Sequence, residues 1–103
     1  MMYKVYVGLN DKSTKRQEVK TAAARRIVEK IICENCEGAT MYDARGVFKH
    51  RDGAIVHEKT FVIELLAMDE NRVKNICGAL RVAFNQECVL YQRVESWTQF
   101  ICE

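Results

Sequence analysis

The order of its hydrophobic periodicities most constrains what this chain can fold into. Apolar residues alternate over residues 2–9, recur at helical spacing over 15–34, alternate twice between 40 and 66, recur at helical spacing over 70–84 and alternate again over 88–94. Alternation predicts strands and helical spacing predicts amphipathic helices. The resulting order, β-α-β-β-α-β, is the ferredoxin-like split βαβ plan. We therefore predict an α+β fold in which an antiparallel four-stranded sheet carries two helices on one face, while its other face stays bare.

The chain is the length of a single domain, with 103 residues. We predict that residues 1–94 form this domain. Residues 95–103 follow the last predicted strand and contain the only tryptophan, Trp97. An aromatic-rich tail on a small domain usually packs against a protein surface, so we expect it to cover its own sheet or to reach a neighbouring subunit.

The first helix is predicted from a capping box at its start. Thr14-Lys15-Arg16-Gln17 has the Ser/Thr-x-x-Glu/Gln pattern in which two side chains satisfy backbone N–H groups reciprocally. We expect this helix to run to about Cys33. Its predicted core stripe consists of Val19, Ala22, Ala23, Ile27 and Ile31.

The second helix has the clearest periodicity in the chain, and Asp69 is its predicted N-cap. Its predicted core stripe consists of Val73, Ile76, Cys77, Leu80, Ala83 and Phe84.

The two middle strands are predicted over residues 40–49 and 54–66, joined by a tight turn at Arg51-Asp52-Gly53. In the second of them, alternation assigns Glu58, Thr60 and Glu64 to the helix-free face.

Charge and composition exclude several classes of function. With 16 basic and 14 acidic residues, net charge +2, the chain is too balanced to predict binding to polymeric nucleic acid. No apolar run is long enough to span a membrane, so we predict no membrane partner. The N-terminus lacks the pattern of a signal peptide. Five cysteines in such a chain favour free thiols in a reducing compartment, so we expect a cytoplasmic protein.

Two motifs resemble metal or redox sites. Cys33 and Cys36 form a C-x-x-C, but they lie at the C-terminal end of the predicted first helix, where the dipole does not favour a thiolate. No second pair repeats the spacing needed for zinc. His50 and His57 flank the predicted hairpin turn and could bind metal or move protons, but solvated hairpin histidines are the commoner case. We predict neither a metal nor a cofactor.

No recognisable catalytic motif is present. The chain has no G-x-S-x-G elbow, no glycine-rich phosphate loop and no carboxylates that sequence spacing alone places at a catalytic separation. We therefore predict that the protein is not an enzyme and has no catalytic residues.

Cationic, amide and aromatic side chains recur near the ends of the predicted elements. Guanidinium groups suit phosphates, amides suit the edge of adenine, and aromatic rings stack on bases. These features predict binding of a small phosphorylated molecule. The candidate binding residues are Arg25, Arg26, Arg45, Phe48, Asn85, Gln86 and Arg93.

Three segments, residues 3–10, 38–48 and 84–90, resemble small ferredoxin-like proteins of phages and bacteria, and among these the phage anti-Thoeris sponge family. The resemblance implies a non-enzymatic protein that sequesters cyclic ADP-ribose isomers made by bacterial TIR-domain proteins. It also implies ligand pockets where subunits meet, in the cytoplasm of the host cell. The family reads adenine and pyrophosphate with aromatic, Asn and Arg side chains, and Asn85 is the one position that we carry over.

The sequence thus predicts a non-catalytic protein that sequesters a signalling nucleotide and blocks host TIR-dependent antiviral defence. Its partners would be that nucleotide and further copies of the chain, in a dimer-based homo-oligomer such as a hexamer. Two alternatives stay open. One is an oligomeric interaction module whose open sheet dimerises, and the other is a small dimeric α+β enzyme, a lyase or monooxygenase, that uses His50 or His57.

Overall fold

The predicted element order is present in the computed structural model, which describes residues 1–49, 52–66 and 68–103. The elements are β1 (Met2–Gly8), α1 (Thr21–Asn35), β2 (Thr40–Lys49), β3 (Ile55–Leu66), α2 (Glu70–Ala83) and β4 (Leu90–Val94). The strands form one antiparallel sheet in the order β2-β3-β1-β4. The α+β ferredoxin-like prediction is confirmed.

The core lies between the sheet and the two helices. Alternate residues of β1 and β3 face each other across the sheet, as in the pair Val5 and Ile63, and point toward the helices. The central strands and α2 supply most of the residues that solvent does not reach. The largest of these are Phe61, Leu9, Ile63, Leu65, Ile76, Leu80, Val5, Val7, Val28 and Val73.

Helix α2 has the predicted cap and most of the predicted stripe. The Asp69 carboxylate accepts a hydrogen bond from the Arg72 backbone N–H at 3.0 Å, which satisfies one of the free donors of the first turn. Of the predicted stripe, only Ala83 is exposed. The residues that are buried are Val73, Ile76, Cys77, Leu80 and Phe84.

Helix α1 begins at Thr21, so the predicted capping box is wrong. The Asp11 carboxylate accepts from the Ser13 and Thr14 N–H groups at 2.7 and 3.1 Å, which folds this stretch into a turn instead. The Gln17 amide donates forward to the Val19 carbonyl at 2.9 Å, whereas a capping box needs it to reach back.

The buried face of α1 also differs from the predicted stripe. The buried residues are Ala24, Val28 and Ile32, while Val19, Ile27 and Ile31 are partly buried against the core. The predicted helix begins too early, and its predicted core stripe is shifted by about one residue relative to the residues that are buried. Of the predicted residues, Ala22 is exposed.

The β2–β3 hairpin extends past the other two strands. β2 and β3 have 10 and 12 residues, whereas β1 has 7 and β4 has 5, beginning at Leu90 rather than at the predicted Cys88. Side chains near the hairpin end are accordingly exposed, including Val47, Phe48 and Ile55. At the predicted turn, Gly53 has φ +89° and the Asp52 carboxylate accepts from the Ala54 N–H at 2.9 Å; Arg51 lies outside the described residues.

Residues 95–103 have no regular secondary structure. Trp97, Phe100 and Ile101 are 85, 71 and 93% exposed, although Phe100 lines a groove together with Leu66 of β3. Over the three described ranges, no helix has both the length and the apolar character to cross a membrane.

Candidate functional site

Four distant segments converge at the hairpin end of the sheet. They are the end of β1, the turn-rich loop of residues 10–20, the β2–β3 hairpin and the junction between α2 and β4. Together they enclose a groove of about 160 Å³, which we call the Glu58 groove. It is lined by Asn10, Asp11, Lys12, Lys15, Phe48, Val56, Glu58, Gln86 and Glu87.

Glu58 lies on the helix-free face, as predicted, and its carboxylate is half-buried. Its Oε2 accepts a hydrogen bond from the Asn10 backbone N–H at 3.0 Å. The carboxylate rests on Gly8 of β1, where any Cβ would overlap Cδ and both carboxylate oxygens. None of the ion pairs among the described residues involves Glu58. The groove therefore contains a fixed negative charge that the described cations do not neutralise by direct contact.

Phe48 provides an aromatic surface next to this carboxylate. A Cβ on Gly46 would lie 2.9 Å from Phe48 Cε2 and 3.0 Å from Thr60 Oγ1, so the ring and the hydroxyl lie against bare backbone. Gly46 is the cross-strand partner of Glu58. Phe48 is 52% exposed, so a ligand can reach its side chain. A carboxylate beside an aromatic ring suits a cation.

The opposite wall is a loop held by long-range hydrogen bonds. The Asn85 side-chain amide donates to Asp11 Oδ2 at 3.1 Å, and the Gln86 amide donates to the Asn10 carbonyl at 2.6 Å. The Thr14 N–H, the Asn85 amide and the Ser13 N–H hold the pKa of Asp11 below its ordinary value, because each donates to the ionised carboxylate. This wall is therefore rigidly tied to the α2–β4 junction.

Three of the predicted binding residues belong to this end of the molecule. Phe48 and Gln86 both line the groove, and Asn85 holds its loop. The two amides, however, are occupied within the protein: Gln86 bonds the Asn10 and Phe84 carbonyls, and Asn85 bonds Asp11 and Ser13. In this arrangement they shape the groove rather than present free donors to a ligand.

The predicted arginines lie elsewhere. Arg25 of α1 forms an ion pair with Asp43 of β2 at 2.6 Å, and Lys59 pairs with the same carboxylate at 3.6 Å. Arg45 is the cross-strand partner of Lys59 and therefore also lies on the helix side of the sheet. Since Phe48 faces the other way, the structure does not bring these arginines together with it.

Two further predicted arginines are separated from that cluster. Arg26 is exposed on α1, and Arg93 of β4 forms a long ion pair with Glu95 at 4.0 Å. The binding site predicted from the sequence is thus divided between both faces of the sheet.

A second, wider groove of about 830 Å³ lies near the opposite end of the sheet and includes Glu64, Asp69, Arg72 and Phe100 in its lining. Of its three carboxylates, Glu37, Glu64 and Asp69, the last two already have partners. Glu64 contacts the Lys4 ammonium at 3.8 Å, and Asp69 caps α2 and pairs with Arg72 at 3.4 Å. We therefore place the candidate site in the Glu58 groove.

Cysteine and histidine contribute no assembled site in the described ranges. All five cysteines are free thiols, and the Cys36 thiol donates to the Ile32 carbonyl at the end of α1. The described residues contain no cluster of three His, Cys, Asp or Glu side chains arranged to hold a metal. Of the predicted histidine pair, His57 is exposed and His50 lies outside the described residues.

The sequence matches one family profile over residues 2–100, that of the proteins of unknown function DUF3574. The chain belongs to this family. No curated protein matches it significantly.

Solved structures resemble this DUF3574 chain in fold. A phage SAM lyase in complex with S-methyl-5′-thioadenosine has a TM-score of 0.62 and 21% identity, covering 87% of this chain and 76% of the lyase. A phage SAM lyase in the apo state has a TM-score of 0.60 and 22% identity, covering 99% of this chain and 91% of the lyase. At these identities the likeness establishes the fold alone.

The prediction that this DUF3574 protein is not an enzyme is wrong in the light of these structures. Both are of an enzyme, and both share the small β-α-β-β-α-β architecture over most of this chain. The prediction depends on the absence of a local catalytic motif, which is not evidence that catalysis is absent. A site assembled from long-range neighbours leaves no such motif, and in the Glu58 groove the contacting residues Asn10 and Glu58 are 48 positions apart.

Alternation places Glu58 on the correct face, but the predicted site residues do not include it. They also omit Lys12, which precedes the predicted first helix, and Lys15, which lies at its predicted start. Two glycines in otherwise regular strands, Gly8 and Gly46, were the available signal, since a strand glycine often marks close approach of another group.

Proposed function

We propose that this protein is an enzyme that binds a sulfonium nucleoside of the S-adenosylmethionine type at the Glu58 groove and breaks one of its carbon–sulfur bonds without water. The observation that carries the proposal is that the half-buried Glu58 carboxylate and the exposed Phe48 line the same groove. The support from comparison is the shared fold of the phage SAM lyases.

A sulfonium ion is a cation of a particular kind. Its sulfur carries three carbon substituents and no N–H or O–H, so it cannot donate conventional hydrogen bonds. A protein recognises such a group through an opposite charge and the faces of aromatic rings. Glu58 and Phe48 supply these two elements on one face of the sheet, next to Gly8 and Gly46.

The position of the carboxylate is fixed before a ligand arrives. Asn10 donates to Oε2, whereas no described hydrogen bond uses Oε1. Because the carboxylate lies on Gly8, it cannot move toward the strand, and little reorganisation is needed when a cation binds. Such preorganisation lowers the cost of binding.

The adenosine part would lie on the helix-free face outside the groove. Aromatic side chains there would offer stacking surfaces, worth about 1–3 kcal/mol per base. Tyr6 and Tyr42 occupy the same face farther along the sheet, where the Tyr6 hydroxyl donates to Gln92 at 3.3 Å. A groove of about 160 Å³ holds only the smaller end of such a substrate.

The reaction balances without a further reactant. When the bond between sulfur and the amino-acid chain breaks, S-methyl-5′-thioadenosine leaves with the bonding electron pair and becomes neutral. The four-carbon fragment restores its own charge balance by losing a proton or by closing onto its own carboxylate. In the first case Glu58 is the nearby base that accepts the proton. In both cases the attraction between Glu58 and sulfur ends with the positive charge, which favours product release.

The proposed setting is the cytoplasm, because five free thiols suit a reducing compartment. The homo-oligomer predicted from the sequence stays a prediction. Light scattering on the purified protein would measure its mass in solution.

The experiment is incubation of the purified protein with S-adenosylmethionine, followed by mass spectrometry of the products. We expect S-methyl-5′-thioadenosine to appear at a rate above the spontaneous one, and Glu58→Gln to lose most of that rate. Glu29→Gln, on the exposed surface of α1, is the matched control that removes the same charge elsewhere. Intact substrate after prolonged incubation with wild-type protein would overturn the proposal.

The hypothesis that the protein sequesters a cyclic nucleotide stays a prediction, and a parallel experiment addresses it. The purified protein is incubated with cyclic ADP-ribose isomers in place of S-adenosylmethionine, and their retention is measured by dialysis. Retention of an intact cyclic nucleotide, together with no cleavage of S-adenosylmethionine, would favour that hypothesis over the present proposal.

A further inference from the structure

Two residues other than glycine have a positive φ in the described part of the chain; one lines the Glu58 groove and the other holds the loop that forms its wall. Lys15 has φ +64° and Asn85 has φ +47°. A left-handed backbone conformation is costly for a residue with a Cβ and is maintained only when the surrounding structure imposes it.

For Asn85 the local structure provides a sufficient reason. Asparagine tolerates this conformation better than most residues. Its side-chain amide donates to Asp11 Oδ2 and Ser13 Oγ at 3.1 and 3.4 Å, and its carbonyl accepts from the Lys12 N–H at 2.9 Å. The conformation of Asn85 is thus compensated by hydrogen bonds within the protein.

For Lys15 the compensation does not come from its side chain. Its backbone N–H donates to the Asp11 carbonyl at 2.8 Å, which closes the turn. The side chain is exposed and takes part in none of the hydrogen bonds or ion pairs among the described residues. Nothing in this turn requires a lysine, since glycine would adopt the same backbone conformation without strain.

The strained turn brings two lysines to the groove. Lys12 and Lys15 both line it, together with Glu58. The groove is small, with a volume of about 160 Å³. That space suits an α-amino-acid group, which carries a carboxylate and an ammonium.

We infer that Lys15, with Lys12 beside it, binds the α-carboxylate at the amino-acid end of the substrate. The inference rests on the proposed function and extends it by assigning the groove to that end of the molecule. Glu58 then faces the cationic part of the substrate while the lysines face its anionic part. Strain at Lys15 is the cost of placing a cationic side chain where glycine would be more stable.

The test uses two ligands that the enzyme cannot cleave at a sulfonium. S-adenosylhomocysteine has the amino-acid end, S-methyl-5′-thioadenosine lacks it, and both have a neutral thioether. Calorimetry would give the dissociation constants of both for wild-type protein and for Lys15→Gly. We expect wild-type protein to prefer S-adenosylhomocysteine by about tenfold, an ordinary effect of one charge-assisted hydrogen bond.

Lys15→Gly should remove this preference and leave the affinity for S-methyl-5′-thioadenosine unchanged. The same substitution should raise the Tm by roughly 2–6 °C, because it relieves the left-handed backbone. Lys15→Arg should keep the preference, and Lys74→Gln on α2 controls for the loss of one positive charge. Weaker binding of S-adenosylhomocysteine by Lys15→Gly, together with a higher Tm, would show that Lys15 binds the ligand and does not stabilise the fold.

Two results would overturn the inference. Equal affinity of wild-type protein for the two ligands would show that the groove does not bind the amino-acid end. An unchanged preference for S-adenosylhomocysteine in Lys15→Gly would show that another residue binds that end. In either case, cleavage of S-adenosylmethionine by wild-type protein would leave the proposed function standing, so that the two failures are distinguishable.

Discussion

The Glu58 carboxylate of β3 lies flat against the backbone of Gly8 in β1, in the space that a side chain at position 8 would otherwise fill. The two residues come from neighbouring central strands, and the contact fixes where the groove has its negative charge. Gly8 therefore leaves the space that the carboxylate occupies, whereas strand geometry alone favours residues with side chains.

Gly8→Ala should displace the Glu58 carboxylate and break its hydrogen bond with the Asn10 N–H. We expect the free energy of unfolding to fall by about 1–3 kcal/mol, as when a hydrogen bond to a charged group is lost, and the proposed activity to fall with it. Urea denaturation monitored by circular dichroism gives the stability.

Gly78→Ala is the matched control, because it lies on α2 with no atom within 4 Å of an added Cβ. Alanine in a helix should stabilise this variant by about 0.5–1 kcal/mol. Wild-type stability and activity in Gly8→Ala would show that the carboxylate can move elsewhere without consequence.

Ile76→Ala tests the orientation of α2. Ile76 is fully buried under the sheet, so the substitution leaves a cavity and should lower the free energy of unfolding by about 2–5 kcal/mol. On the same helix Val82 is 70% exposed, and Val82→Ala should change the free energy of unfolding by no more than about 0.5 kcal/mol. Similar losses in the two variants would mean that a different face of α2 is buried.

Asp11 should make the fold sensitive to acid. Its pKa is lowered in the native state from an ordinary value of 3.8, so near that pH the unfolded chain binds more protons than the native one. Stability from this group is therefore present above pH 3.8 and is lost as the pH falls through the lower native pKa. Asp11→Asn should reduce the slope of stability against pH in this acidic range, measured by urea denaturation at successive pH values. An identical slope in variant and wild type would contradict the assignment.

Cys77 should react slowly with thiol reagents in the native protein. Burial raises its pKa to about 11, so little thiolate is present at pH 8, and the surrounding core shields the sulfur. Cys33, Cys88 and Cys102 are exposed and should be modified first by iodoacetamide. Peptide mapping after brief labelling gives the order, and unfolding in urea should abolish the difference. Early modification of Cys77 in native protein would contradict its placement in the core.

Local signals predicted the sheet and α2 well. β2 occupies the predicted residues 40–49, and Asp69 caps α2 as expected, because alternation and capping depend on neighbours in sequence. The start of α1 was wrong because Asp11, which lies before the supposed capping box, takes the Ser13 and Thr14 N–H groups into a turn. The Asp11 turn and the capping box require different conformations of the same residues, and only the structure shows which of them forms.

The candidate site could be predicted only in part. Alternation placed Glu58 on the helix-free face, and composition selected Phe48, which lines the groove. The contacts of Asn10 with Glu58 and with Gln86 span 48 and 76 positions, and no local pattern encodes them. The arginines were chosen by type alone, and Arg25 pairs with Asp43 on the helix side of the sheet instead.

The most direct test of the proposed activity is the rate at which purified protein releases S-methyl-5′-thioadenosine from S-adenosylmethionine. This rate is compared between wild type, Glu58→Gln and Glu29→Gln. We predict measurable release by wild type and Glu29→Gln, and a reduction of about 100-fold or more in Glu58→Gln, the scale expected when a positioned catalytic group is lost. Equal rates in all three proteins, or no release by any of them, would contradict the assignment of the Glu58 groove as the active site.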